Sequence, residues 1–206
     1  MRRMFICFLI LTAFGLGEPP SSRAQGSPDN KAAAMAAAPT SGFRAEFLEE
    51  IAYYEQRYTR LAEAMPAEKY TWRPAEGVRS VGEVFTHITA ANYGIARALG
   101  TAPPAGFDPK AVTAVSADKA KVLQALKESF AHFRGAIIAL NEADADKPQK
   151  MFNRSTTLRG SFIAITGHFG EHLGQSIAYA RMNGVVPPWT EDFQKQQQMP
   201  ADKPKP

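Results

Sequence analysis

The sequence predicts an all-α protein in which four long helices form a four-helix bundle. Four segments repeat apolar residues at intervals of three and four, the periodicity of a helix with one buried face. No segment shows convincing period-two alternation, so no strand is predicted. With 206 residues, 45% of them apolar and 21% charged, the chain has the composition of one ordinary globular domain.

Residues 1–24 have the pattern of a secretory signal peptide. Arg2 and Arg3 form a positive start, residues 5–14 form an apolar run too short to span a bilayer, and residues 22–24 (Ser-Arg-Ala) resemble a cleavage site. We therefore expect cleavage near Ala24 and a periplasmic or secreted protein with no stable membrane insertion. The alternative is an uncleaved anchor. Cys7, the single cysteine, lies in the predicted signal, so the mature chain would form no disulfide.

The charge balance excludes one class of partner. Loss of residues 1–24 removes three arginines and one glutamate, which lowers the net charge from +4 to +2. No dense basic stripe is present, so no nucleic-acid partner is expected.

The predicted domain begins after a linker. Residues 25–41 are rich in Ser, Pro, Asn and Ala and predict a flexible linker, and the bundle is predicted over residues 42–190. We expect Thr40 or Ser41 to cap the first helix and Pro66 to end it. Its apolar stripe comprises Phe43, Phe47, Ile51, Tyr54, Tyr58, Leu61 and Met65.

The second helix is predicted from a capping box, in which Ser80 is the N-cap and Glu83 the third helical residue, to Gly100. His87 falls on its inner face. The neighbours of His87 on that face are Val81, Val84, Phe85, Ile88, Ala91 and Ile95. A long connection over residues 101–115 follows.

The third helix is predicted to begin at a cap, Ser116 or Asp118, and to reach about Asn141. Its buried stripe comprises Val122, Leu126, Phe130, Phe133, Ile137 and Leu140. His132 falls off that stripe and is predicted to be a solvated surface residue rather than a metal ligand.

The fourth helix follows a polar connection over residues 141–153. Thr156 or Thr157 is the expected cap, and Gly184 with Pro187-Pro188 is expected to end the helix. Residues 191–206 are rich in Gln, Lys and Pro and predict a disordered tail.

The fourth helix carries two of the chain's four histidines, His168 and His172. Side chains four residues apart lie on one helix face, so both imidazoles can reach one ion. His87 is the third inward histidine, and three neutral rings crowded in a core would leave polar nitrogens unsatisfied. These residues predict a metal site, although core histidines without an ion remain the alternative.

Three protein ligands leave a coordination position open, as in catalytic rather than structural zinc sites. Imidazole suits several divalent metals, of which Zn, Ni and Fe are the candidates. Gln175, Glu83 and Glu171 lie near the ligands in sequence and are candidate catalytic or orienting residues. Glu83 is also expected in the capping box, Glu171 in solvent, and Gln175 in a packing or surface role.

Several stretches together resemble the DinB/YfiT-like superfamily. They are residues 72–77 (WRPAEG), 80–88 (SVGEVFTHI), 167–175 (GHFGEHLGQ) and 179–188 (YARMNGVVPP). The resemblance covers the whole predicted domain, from about Phe43 to Trp189. It implies a four-helix bundle, a divalent metal held by His87, His168 and His172, and a homodimer.

The resemblance also implies a class of reaction. Characterised members include thiol-dependent transferases and an isomerase that use a low-molecular-weight thiol. The sequence differs from many members in its export signal and in Leu173, where many carry arginine. The leading prediction is an exported metal-dependent enzyme that activates a thiol or water for transfer or hydrolysis on a small molecule. A non-enzymatic metal- or ligand-binding module and a purely structural bundle are the alternatives.

Overall fold

The computed structural model describes residues 37–198. The predicted signal peptide, most of the predicted linker and the last eight residues lie outside that range. Within it, no helix has both the length and the apolar character needed to cross a bilayer.

Four long helices account for most of the described chain: α1 (Phe43–Ala64), α2 (Val81–Ala98), α4 (Lys119–Ile138) and α5 (Leu158–Met182). Two shorter helices, α3 (Pro109–Ala114) and α6 (Pro188–Gln198), and one hairpin, β1 (Pro148–Met151) with β2 (Arg154–Thr157), complete the regular structure of residues 37–198, together with 3₁₀ turns at Ala67–Lys69 and Glu142–Asp144. The expectation of a mostly helical protein is confirmed, and the hairpin is a correction to the all-α prediction.

The long helices share one core. Helices α1 and α2 each pack against both α4 and α5. Phe169 of α5 lies at the centre, with ring centroids 5.8 Å from Phe130 and 6.0 Å from Phe133 of α4. Tyr58 of α1 is fully buried beside them and donates a 2.7 Å hydrogen bond to the Phe169 carbonyl. The predicted apolar stripes therefore form the core.

Most of the predicted helix starts are confirmed. Ser80 and Glu83 form the reciprocal capping box of α2, Asp118 accepts from Lys121 at the start of α4, and Thr157 accepts from Gly160 at the start of α5. Each accepts a hydrogen bond from a backbone N–H that the helix leaves unpaired.

The predicted cap of α1 is wrong. Neither Thr40 nor Ser41 caps the helix, whose N-cap position is Gly42 with φ of 82°. The carboxylate of Glu142 takes over this role, since it accepts from Phe43 N at 2.7 Å and pairs with the Arg44 guanidinium at 2.9 Å. This partner lies about 100 residues away in sequence, so local pattern does not reveal it.

The hairpin contradicts the prediction of an unbroken polar connection. Met151 pairs with Arg154, and the two residues of the turn, Phe152 and Asn153, have φ of 48° and 61°. Two positive φ values mark a type I′ turn, whose twist suits a two-residue hairpin. The sequence signal is absent because the turn contains no glycine and only Met151 of the strands is buried.

Residues predicted to be irregular form α3 and α6. Asp108 caps α3 with Pro109 in its first turn, inside the predicted connection. Residues 191–198 belong to α6 and are not the predicted disordered tail. Arg57 lies 4.4 Å above the Trp189 ring, and Arg60 pairs with Asp192 at 2.7 Å, so α1 holds this helix. Residues 199–206 of the predicted tail lie outside the described range.

Candidate metal centre

Helices α2 and α5 bring three histidines together. His87 lies in the second turn of α2, and His168 and His172 lie one turn apart near the middle of α5. Their ring centroids are 4.5 Å (His87 to His172), 4.8 Å (His168 to His172) and 5.3 Å (His87 to His168) apart. All three side chains are half-buried.

The donor geometry fits a divalent ion. One nitrogen of each ring can be chosen so that the three lie within 4.8 Å of one another, and His87 Nε2 is 3.2 Å from His168 Nε2. Two nitrogens that share a tetrahedral ion at about 2.0–2.1 Å lie roughly 3.3 Å apart. Among residues 37–198, no carboxylate joins the group. The set is therefore three imidazoles with no fourth protein ligand from the described chain.

Gln175 orients one of these rings. Its amide oxygen lies 3.0 Å from His172 Nδ1, and its amide nitrogen donates to the Tyr179 hydroxyl at 2.9 Å. An amide oxygen can only accept, so Nδ1 of His172 carries the proton and Nε2 keeps a lone pair for a metal. The Tyr179 ring packs edge-on against Trp72, with centroids 5.4 Å apart. This chain of contacts ties His172 to the loop that precedes α2.

Burial keeps two of the three rings, His87 and His168, neutral. It lowers the pKa of His87 to about 4, and the nearby Arg79, His172 and His168 act in the same direction. Burial likewise lowers the pKa of His168 to about 4, with a further lowering by His172 that Glu171 opposes. A neutral imidazole is the form that binds a metal, so both rings are ready to do so near pH 7.

Phe152, at the tip of the hairpin, covers His168. The two rings are stacked with centroids 5.2 Å apart and planes 30° apart. Phe152 remains 45% exposed, so it forms a partial cover and not a sealed wall. Sequence reasoning missed this residue because the hairpin itself was missed.

Two clefts meet at His168 and Phe152. The first, called here the apolar cleft, has a volume of about 530 Å³. Its walls are the three histidines, Ala91, Gly94, Ile95 and Ala98 of α2, and Lys150, Met151 and Phe152 of the hairpin. The second, of about 600 Å³, runs along α5 and β2 and includes Arg154 and Glu171. A small molecule can therefore approach His168 from two sides, and His87 and His172 from the apolar cleft.

The two glutamates predicted near the site differ in their surroundings. Glu83 accepts from Ser80 N at 2.7 Å and from Arg73 at 3.1 Å, and the Ser80 hydrogen bond is the main cause of its lowered pKa. It therefore serves the capping box. Glu171 is exposed and lines the second cleft beside His168.

The fourth histidine is outside the cluster. His132 lies on α4, but it is half-buried and not solvated as predicted. Its Nε2 is buried without a hydrogen-bond partner in the described chain, its ring is 5.0 Å from Tyr93, and burial lowers its pKa. The prediction failed because α2 covers this side of α4 more fully than the stripe implied.

Comparison with known proteins agrees with this fold. The chain is similar to a DinB-like protein from Bacillus cereus ATCC 10987, known from a crystal structure at 2.01 Å resolution. The TM-score is 0.60 at 18% sequence identity, over 69% of this chain and 93% of the other. No curated protein matches the chain. The family model for the DinB superfamily matches residues 50–176, which include all three clustered histidines. This chain therefore belongs to the DinB superfamily.

Proposed function

We propose that this protein is an exported, metal-dependent enzyme that acts on a small molecule. His87, His168 and His172 hold one divalent ion, with Zn, Ni and Fe as the candidates. The single observation that carries the proposal is the convergence of three imidazoles from two helices at the end of an open cleft, without a fourth ligand among the described residues.

The residues around the ion have separate tasks. When bound, a divalent metal with an open position supplies Lewis-acid activation of a thiol or water. Gln175 holds His172 through Nδ1 and so fixes the orientation of its ring. Phe152 excludes water from one face of His168, and the apolar cleft receives the substrate beside the rings. The four-helix bundle is the scaffold that keeps the two ligand-bearing helices at this separation.

A binding module without catalysis is the second candidate. It is favoured by the lining of the apolar cleft, to which the described part of the chain contributes no carboxylate that could act as a general base. Gln175 is already engaged by His172 and Tyr179. Turnover of a molecule in the apolar cleft would therefore depend on activation by the metal alone or on a group that the co-substrate brings.

Metal analysis tests the site. We expect about one ion per chain in the purified protein and little in His87→Ala, His168→Ala and His172→Ala. His132→Ala is the matched control, because His132 is a half-buried histidine outside the cluster and should leave the metal content unchanged. Equal, negligible metal in all five proteins would rule out the proposal.

Activity screening separates the enzyme from the binding module. Metal-loaded protein is incubated with low-molecular-weight thiols plus electrophiles, and separately with esters and amides. Turnover that disappears in His168→Ala and persists in His132→Ala identifies an enzyme. Metal binding without turnover across the panel favours the module.

Export and assembly are proposals as well. Export rests on the signal pattern of residues 1–24, and N-terminal sequencing of the protein from cell-envelope fractions should find a start near Gln25. A homodimer is proposed from the resemblance to the DinB superfamily, and Ile163 of α5, which is 78% exposed, is a candidate residue of the interface. Light scattering coupled to gel filtration should give twice the mass of the mature chain.

A further inference from the structure

The apolar cleft has a definite composition beyond the histidines. His87, Ala91, Gly94 and Ala98 follow one another at intervals of four, three and four along α2, so they form one continuous helix face. Three of these four residues have little or no side chain. A Cβ atom added at Gly94 would meet nothing within 4 Å. The face therefore leaves room along about 16 Å of helix, from the metal ligand to the end of α2.

The hairpin forms the opposite wall and is attached at both ends of this groove. Gln149 donates a 2.8 Å hydrogen bond to the Ala98 carbonyl at the end of α2, and Phe152 stacks on His168. Lys150 lies between these two anchors and lines the cleft. The hairpin thus carries Lys150 across the groove between the histidines and the end of α2.

Among residues 37–198, Lys150 is the one charged residue in the lining of this cleft. It is exposed and forms no salt bridge with any residue of the described chain. By contrast, Lys147 on the same segment pairs with Asp144 at 2.9 Å and does not line the cleft. A single unpaired cation beside an apolar surface is the arrangement that recognises an apolar molecule with one anionic group.

We propose that the apolar cleft binds small organic anions, with the apolar body against Ala91, Gly94 and Phe152 and the anionic group paired to Lys150 Nζ. The proposal deepens the proposed function and rests on it in one respect, since it takes the histidines as the reactive end of the cleft. The charge preference comes from Lys150, so it is present without metal.

Two matched fluorescent probes test the proposal on the mature chain in EDTA. 8-Anilinonaphthalene-1-sulfonate and N-phenyl-1-naphthylamine share one ring system and differ in the sulfonate. We expect the anionic probe to bind more tightly. Lys150→Gln should weaken the anionic probe about 5–10-fold, the size of one exposed ion pair, and leave the neutral probe unchanged. Lys147→Gln is the control and should change neither.

Filling the groove tests where the probes bind. Gly94→Leu should weaken both probes at least 10-fold, and Ala91→Leu serves as a second filling variant if Gly94→Leu melts at a lower temperature. The proposal is overturned if Lys150→Gln and Lys147→Gln behave alike, or if neither filling variant weakens the probes.

Metal analysis of the same variants separates this proposal from the proposed function. Lys150→Gln should keep its metal, because Lys150 is not a ligand. A chain that binds no metal yet keeps anion binding dependent on Lys150 refutes the metal enzyme and leaves the organic-anion site standing. A chain that binds metal but whose anion binding does not depend on Lys150 refutes the organic-anion site and leaves the metal enzyme standing.

Discussion

Helix α2 packs against two neighbours in two different ways. Against α4 and the turn that leads into it the contact is closed: Gly82 lets the main chain at Ser116, in that turn, approach so closely that an added Cβ would lie 1.8 Å from the Ser116 oxygen. Asn92 donates to Ser129 across this contact at 2.9 Å, and both residues are buried. Against α5 the contact is open and contains the histidines, the apolar cleft and the hairpin. We call these contacts the closed and the open seam.

The difference gives one helix both a tightly packed face and a face that carries part of the histidine cluster. In the closed seam, the Asn92 amide N–H meets a hydroxyl supplied by the chain itself. In the open seam, imidazole nitrogens face one another at 3.2 Å and small residues keep space beside them. Polar groups that the chain leaves facing each other are suited to a partner from outside the protein.

The largest effect should come from a methyl group added to the closed seam, compared with one added to the open seam in a separate variant. Gly82→Ala places its Cβ against the Ser116 main chain and should destabilise the fold by about 3 kcal/mol. Gly94→Ala is the matched control on the same helix, and its Cβ meets nothing, so helix propensity should stabilise the fold by up to about 1 kcal/mol. Urea unfolding of both variants measures the difference. Equal effects would show that the two seams are packed alike.

Acid should weaken the open seam in the metal-free protein. The folded-state pKa of His87 and of His168 is about 4, below the ordinary value of 6.5. The unfolded chain therefore binds more protons between these values, and the free energy of unfolding falls as the pH drops from about 6.5 to about 4. Allowing for partial exposure, we expect a loss of about 1–2 kcal/mol per histidine.

Urea unfolding between pH 7.5 and 4 in EDTA measures this loss. The double variant His87→Leu/His168→Leu should lose less stability over the same pH range. His132→Leu should retain most of the fall in unfolding free energy with falling pH. A pH profile that the double variant leaves unchanged would assign the acid sensitivity to groups elsewhere.

Removing the hydrogen bond that supports His172 should lower the affinity for metal without lowering the stability of the fold. Gln175→Leu deletes the acceptor at His172 Nδ1 and should lower metal affinity about 10–100-fold. Competition with a chromogenic chelator measures that affinity, and Gln124→Leu, at an exposed residue of α4, is the control. Unchanged affinity in Gln175→Leu would show that the ring is held by packing alone.

The smallest effect concerns the hairpin tip. Phe152 has φ of 48°, which a bulky side chain adopts at a cost, so Phe152→Asn should stabilise the protein by about 0.5–1 kcal/mol. The same change uncovers His168, and EDTA should then remove bound metal faster. Slower removal would contradict the role of Phe152 as a cover for the open seam. The melting temperature and the stripping rate are measured on the same samples.

Sequence reasoning succeeded where the cause was local. Apolar periodicity identified the four long helices, and the Ser80, Asp118 and Thr157 caps act on backbone groups three residues away. The grouping of His168 with His172 follows from one helical turn. Placing His87 beside them required only that the inner faces of α2 and α5 point into one core.

It failed where the partner was distant. Glu142 caps α1 from 99 residues away in the sequence, and Arg57 and Arg60 of α1 hold α6. The hairpin has no glycine in its turn and buries one residue of its strands, so its pairing depends on the helices around it. Lys150 and Phe152 were missed because they belong to this hairpin, which was not predicted.

The hairpin leads directly into the helix that bears two of the three histidines. Leu158 N donates to the Lys147 carbonyl and Arg159 N to the Ala145 carbonyl, each at 2.9 Å, so the base of the hairpin and the first turn of α5 are joined by main-chain bonds. Because those bonds involve no side chains, the residues of the turn and strands are free to vary while the join is preserved. Evolution can thus exchange the outer wall of the pocket, and with it the molecules admitted, without redesigning the helices that carry the imidazoles.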